Sequence, residues 1–200
     1  SSAASDVYKR QVSYMVELIC ACLLFLKPVR KRKHFVLIAT VLSISMLILV
    51  GFYNEFVGKP DSVAGEIFYW AVYLIISILF VWICMGQSIV QAVYCSTCAF
   101  AVQHISYSLM QIYNLAGGES KVVSVGCYVL VYVMAYFFCA KKIPDNGRFV
   151  ADKKLVFPLT TIIVIIWLLG ILEGAKVAGF EVGRWYRMIL CGMDCLCCVY

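Results

Sequence analysis

Six apolar runs follow one another along the chain, each read as a bilayer crossing, and a seventh opens at its end. They cover Val12 to Leu26, Phe35 to Tyr53, Ile67 to Met85, Ser88 to Tyr113, Val122 to Ala140 and Leu155 to Leu172, with Trp185 to Tyr200 as the last. A bilayer crossing takes about 20 residues, so these runs fill almost the whole chain. Apolar residues make up 64% of the sequence and charged residues 14%, against about 45–50% apolar in a typical soluble domain. That excess cannot be buried in a soluble core of 200 residues. Within hydrocarbon every backbone N–H and C=O must find a partner inside its own span, and the runs lack the alternation of lipid-facing strands. The expected fold is all-α: a polytopic membrane helix bundle with six complete spans, a seventh truncated at the C-terminus, and the N-terminus outside.

Residues 1–11, SSAASDVYKRQ, differ from everything after them. They lack the apolar core of a signal peptide and resemble translated adaptor or linker sequence. They are read as a non-native leader, with a short native polar tail as the alternative. The membrane domain then occupies residues 12–200, and the first run is the short one.

Orientation follows from Lys and Arg. The connection after the first run carries Lys27, Arg30, Lys31, Arg32 and Lys33, and the one after the fifth carries Lys141, Lys142, Arg148, Lys153 and Lys154. These hold ten of the 17 basic residues. The loop from Asn54 to Glu66 sets one Lys against Glu55, Asp61 and Glu66. The positive-inside rule puts the two basic loops in the cytoplasm. A net charge of +6 spread over juxtamembrane loops suits anionic lipid headgroups, so the bilayer and not nucleic acid is the expected partner. Gly58, Pro60, Gly65, Gly117, Gly118 and the segment Pro144–Gly147 mark the turns.

Eleven cysteines include a CxxC at Cys95 and Cys98 and a cluster at Cys191, Cys195, Cys197 and Cys198. Zinc needs four thiolate or imidazole ligands on a closed site. In apolar helices cysteine behaves as a small hydrophobe, and packing is the reading adopted, with metal or redox chemistry the alternative. Neither a metal nor a disulfide framework is expected.

The fourth run carries the specific signal. At about 100° per residue, Ser96, Thr97, Gln103, His104, Tyr107, Ser108, Gln111 and Asn114 gather into an arc of roughly 140°. Polar side chains in hydrocarbon need partners, so this face should look into the bundle or a wet cavity. An interhelical hydrogen-bond seam and a ligand-sensing site are the two readings. Gln103, His104, Tyr107, Ser108 and Gln111 are the sensing or polar-core candidates, with Glu17 of the first run and Asp194 of the seventh as acidic groups able to pair with His104. Tyr53, Phe56, Trp70 and Trp185 are expected as interfacial anchors.

The segment AVYCSTCAFAVQHISYSL, Ala92 to Leu109, resembles the fourth-span signature of the membrane sensor region in bacterial GHKL-type sensor histidine kinases. A basic first cytoplasmic loop and six or seven spans fit the same family, over residues 12 to 200. The resemblance implies a receptor for a secreted signal, a peptide among the candidates, acting as a homodimer and passing its state through the seventh helix. It also implies a cytoplasmic dimerisation helix and an ATP-binding domain beyond Tyr200, with ATP and Mg bound there and a response regulator as partner. Within this chain no catalytic residue and no cofactor is expected: His34 sits at the membrane edge, His104 lies inside a span, and no GxxxxGK[ST] loop occurs.

Two rivals stand beside this reading. A small transporter or permease subunit would use Glu17, Gln103, His104 and the Gly170 to Gly174 segment as a substrate path. A membrane cysteine peptidase would need a Cys/His pair, yet the first cysteine after His34 is Cys84 and the first after His104 is Cys127.

Overall fold

The computed structural model describes residues 2–57, 63–86, 88–115, 120–142 and 164. Among them the chain is all-α: five α-helices and one 3-10 turn, with no strand. They are α1 (Ser2–Leu26), α2 (Phe35–Val57), α3 (Val63–Met85), α4 (Ile89–Leu115) and α5 (Lys121–Phe138), followed by the 3-10 turn Ala140–Lys142. The sixth and seventh runs lie outside the described residues, Val164 excepted. So do Asp194, Trp185, the C-terminal cysteines and the Pro144–Gly147 turn.

Each described helix contains most or all of one apolar run, and the ends of α1 and α3 and the start of α2 coincide with run ends. The chain leaves α1 through the basic segment Lys27–Lys33 and enters α2 after His34, whose φ of 62° is left-handed. The His34 carbonyl nonetheless accepts the Ile38 N–H at 3.1 Å, so the first turn of α2 is closed. Helix α3 ends at Gly86, φ 66°, with the Gly86 N–H donating to the Trp82 carbonyl at 2.8 Å. Left-handed φ at a helix end is the usual place for glycine, which meets no Cβ penalty there. Ser88 opens α4, its hydroxyl accepting the Val90 N–H at 3.3 Å. Helix α1 extends ten residues ahead of the first apolar run, back to Ser2.

Helix α4 is the centre of the assembly, packed against α3, α1 and α5, while α1 touches all four other helices. Helix α2 is peripheral and lies on α1 and α3 alone. The core reads Met15, Leu18, Cys22 and Phe25 from α1, Tyr73, Phe80, Val81 and Cys84 from α3, and Cys95, Ala99 and Val102 from α4. The outward faces are apolar too. Val36 is 75% exposed and Val122 80%, with Val41, Ile44, Ile48, Phe52, Phe68, Ile75, Val129 and Phe137 also on the outside. A soluble monomer seldom shows so much contiguous apolar surface. On α2 the outward hydroxyls of Thr40 and Ser45 donate to the Val36 and Val41 carbonyls at 2.8 and 2.9 Å, which satisfies them without water.

By length and composition two helices can cross a membrane: Phe35–Tyr53 within α2 and Ile67–Met85 within α3. The apolar parts of α1 and α5, Val12–Leu26 and Val125–Phe138, are shorter. Helix α4 is long enough but diluted by Gln91, Gln103 and His104. Among the described residues the all-α class is therefore as expected, while two helices, not six, have the length and composition of a complete span.

Candidate functional site

The polar residues of α4 meet the carboxylate of Glu17 at the junction of α1, α4 and α5. Gln103 is 2% exposed, and its Nε2 donates to Glu17 Oε2 at 3.2 Å. The Ser13 hydroxyl, one turn earlier on α1, donates to Glu17 Oε1 at 3.0 Å. The Tyr128 hydroxyl of α5 is a third hydrogen-bond partner of the same carboxylate. One turn along α5, the Tyr132 hydroxyl donates to the Glu17 backbone carbonyl at 2.7 Å. Helix α1 is thus tied to α4 by Gln103 and to α5 twice, all at one residue.

The chemistry of this arrangement is that of an acceptor surrounded by neutral donors. An ionised carboxylate offers only acceptors, and hydrogen bonds to it are stronger than those between neutral groups. Removing a carboxylate from water is costly unless such donors replace the water. The three side-chain donors do this from three positions, and a slide of α4 along α1 by a helical turn, about 5.4 Å, would take Gln103 out of reach. The cluster is a lock between helices.

Among the candidate residues it is Gln103, the neighbour of His104, that hydrogen-bonds Glu17, and the other acid, Asp194, lies outside the described residues. His104 itself is half-buried. The polar arc is only partly inward. Ser96, Thr97, Gln103 and Ser108 are buried as the wheel places them, Gln111 is half-buried, and Tyr107 and Asn114 face out. Ser106, outside the arc, is fully buried because α4 is covered on several sides, and its hydroxyl donates to the Val102 carbonyl at 2.9 Å. The Ser96 and Thr97 hydroxyls are buried with no hydrogen-bond partner among the described residues.

An aromatic cluster sits one turn from Glu17, and the sequence reading did not anticipate it. Tyr14 of α1 stands edge-on to Trp70, with centroids 4.9 Å apart, and edge-on to Tyr73 at 5.9 Å and to Phe100 at 6.5 Å. Tyr53 of α2 stacks at a tilt on Tyr69 at 5.2 Å, and the Tyr69 and Tyr73 hydroxyls are 2.8 Å apart. Edge-on pairs at these distances add to the area they bury. Trp70 and Tyr53, expected as interfacial anchors, are half-buried members of this cluster, and the Tyr53 hydroxyl is buried without a partner among the described residues. The side chain of Phe56 and all of Trp185 lie outside the described residues. The signal that could have found the cluster is the spacing Tyr69, Trp70, Tyr73 on one face of α3.

The cysteines behave as small apolar groups. Cys22, Cys84, Cys95 and Cys98 are buried, and every described cysteine is a free thiol. Cys95 neighbours Cys22 of α1, and both Cys95 and Cys98, one turn apart on α4, neighbour Tyr94. No group of three metal-ligating side chains is assembled among the described residues.

No family model, curated protein or solved structure matches this chain.

Proposed function

We propose that this chain is the membrane-embedded sensor region of a bacterial GHKL-type sensor histidine kinase. It would be a bundle of six spans with a seventh begun, its N-terminus outside, in the cytoplasmic membrane. The observation that carries the reading is the Gln103–Glu17 contact, because Gln103 belongs to the AVQH segment on which the family resemblance rests. A signal, with a secreted peptide as the class the resemblance implies, would shift the bundle between two packings by binding one better than the other. The lock at Glu17 is the element such a shift must break or keep. The change would pass through the seventh helix to a homodimeric kinase part that holds ATP and Mg and serves a response regulator.

The belt of outward apolar side chains and the self-satisfied hydroxyls of α2 support the bilayer as solvent for more than the two most apolar helices. The test of function is ligand-dependent autophosphorylation of the full-length protein in membranes. Gln103→Leu is expected to shift the response by at least several-fold at unchanged protein level. An unchanged dose response would remove the lock from the mechanism, and an unchanged response in His104→Gln would remove His104.

The same half-buried carboxylate favours a second reading, a small transporter or permease subunit, since acidic groups within membrane helices often mark solute or proton paths. Solute uptake by vesicles containing the purified chain, lost in Glu17→Gln, would favour it.

A further inference from the structure

The second polar feature of the molecule lies at the opposite end of α4 from Leu115 and has no part in the lock. The segment joining α1 to α2 folds back across the end of α3. The Arg32 N–H donates to the Cys84 carbonyl at 3.2 Å, which fixes the strap to the last turn of α3. Its side chain crosses Gly86 so closely that a Cβ built there would collide with Arg32 Nε. Between this strap and the first turn of α4 opens a cavity of about 610 Å³, lined by Arg30, Lys31, Arg32, Lys33, Met85, Gly86, Ser88 and Gln91.

Four of these eight residues are cations and none is acidic. The strap alone would bring four like charges together at a cost. They also face the start of a helix of 27 residues, whose N-terminal end carries the positive pole of its dipole and adds to that cost until an anion enters; the Gln91 N–H there is held by the Ser88 carbonyl at 3.1 Å. Ser88 Oγ holds the Val90 N–H at the rim. Positive side chains, a positive helix end and an open cavity between them are three independent parts of one anion site. The Lys31 ammonium lies 5.2 Å from the Phe35 ring centroid, which holds its stem along the wall. Cavities of roughly 300–1,000 Å³ take small organic ligands, so the volume exceeds what bare phosphate needs and suits a phosphate joined to a glycerol-sized group.

We propose that this cavity binds a glycerophosphate-type anion, the chemistry shared by an anionic phospholipid headgroup and a soluble phosphomonoester. The strap lies between helices at the end of the bundle that the positive-inside rule assigns to the cytoplasm, where basic pockets between helices meet such headgroups. The site itself needs only the α1–α2 strap and the α3–α4 junction. It holds whether the parent protein is a kinase or a transporter.

The test uses the purified full chain in neutral detergent. Retention of phosphatidylglycerol against phosphatidylcholine is read by native mass spectrometry, and binding of glycerol 1-phosphate by calorimetry. The variants are Lys31→Gln with Lys33→Gln at the cavity, Lys27→Gln with Lys141→Gln as a control that removes the same charge at the same end of the bundle, and Ser88→Asp, which keeps a helix cap while placing a carboxylate at the rim. The expected result is binding of at least one probe, weakened about tenfold or more by the cavity pair and by Ser88→Asp but not by the control pair. Phosphatidylglycerol alone obeying this pattern assigns a lipid source, and glycerol 1-phosphate alone a soluble one. Equal loss in the control pair, equal binding in all variants, or no binding of either probe overturns the proposal.

Discussion

Gln103 on α4 and Glu17 on α1, 86 positions apart in the chain, meet through a hydrogen bond of 3.2 Å in the interior of the bundle. The bond joins the amide of α4 to the one acidic side chain in the apolar part of α1, Val12–Leu26. In a double-mutant cycle of Glu17→Gln and Gln103→Leu, followed by unfolding in detergent, the two should couple by about 1 kcal/mol. Additive effects would mean that the contact contributes nothing to holding α1 and α4 together.

Tyr132 and Tyr128 reach the same residue from α5 by different routes. Tyr132→Phe removes a donor to the Glu17 carbonyl, a group that also serves the α1 hydrogen-bond ladder, so about 0.5–1 kcal/mol should be lost. Tyr128→Phe takes a donor from the carboxylate itself and should cost more, about 1–2 kcal/mol. The order of the two melting temperatures checks this, and a reversed order would place the stronger tie at the backbone.

Gly86 should resist substitution for two separable reasons. Its φ of 66° penalises any Cβ, about 1–2 kcal/mol for alanine, and the Arg32 side chain occupies the space that Cβ would take. Gly86→Ala should therefore destabilise the chain by at least that amount unless Arg32 swings aside. Combining it with Arg32→Ala should relieve the crowding and leave the φ penalty. Full recovery in the double variant would show that the backbone strain is negligible.

Much of this was legible in the sequence, and the parts that were not have identifiable causes. The apolar runs end at Leu26 and Met85, as α1 and α3 do, because Lys27 and Gly86 interrupt them. The start of α1 at Ser2 was not legible, since residues 2–10 are polar and the run-length signal is silent on polar helices. Burial of Ser96, Thr97, Gln103 and Ser108 followed from one helical wheel. The partner of Glu17 did not, because a wheel describes one helix and the contact depends on α1 lying beside α4. The ring partners of Trp70 were hidden for a related reason. An aromatic near a span end can face headgroups or a neighbouring ring, and Tyr14 on another helix decides which.

Cys20 offers a probe of the surroundings. It is exposed on the outside of α1, within the apolar stretch Val12–Leu26, while Cys22 two positions on is fully buried. With every other cysteine replaced by alanine and the chain in lipid vesicles, a charged methanethiosulfonate should leave Cys20 unlabelled until detergent is added. An apolar maleimide should react faster than the charged reagent before that. Equal labelling by the charged reagent in intact vesicles would put this face of α1 in water. If the thiols serve packing alone, the cysteine-free chain should also keep its function, and loss of function at normal expression and fold would restore thiol chemistry as a reading.

The central claim, that this bundle is the input region of a histidine kinase, is tested most directly by sequencing the gene through and beyond the codon for Tyr200. The account predicts an open frame that continues into a cytoplasmic dimerisation helix with a phosphoacceptor histidine and an ATP-binding domain. A stop codon shortly after Tyr200 would contradict it and leave a free-standing membrane protein, for which the transporter reading would take precedence.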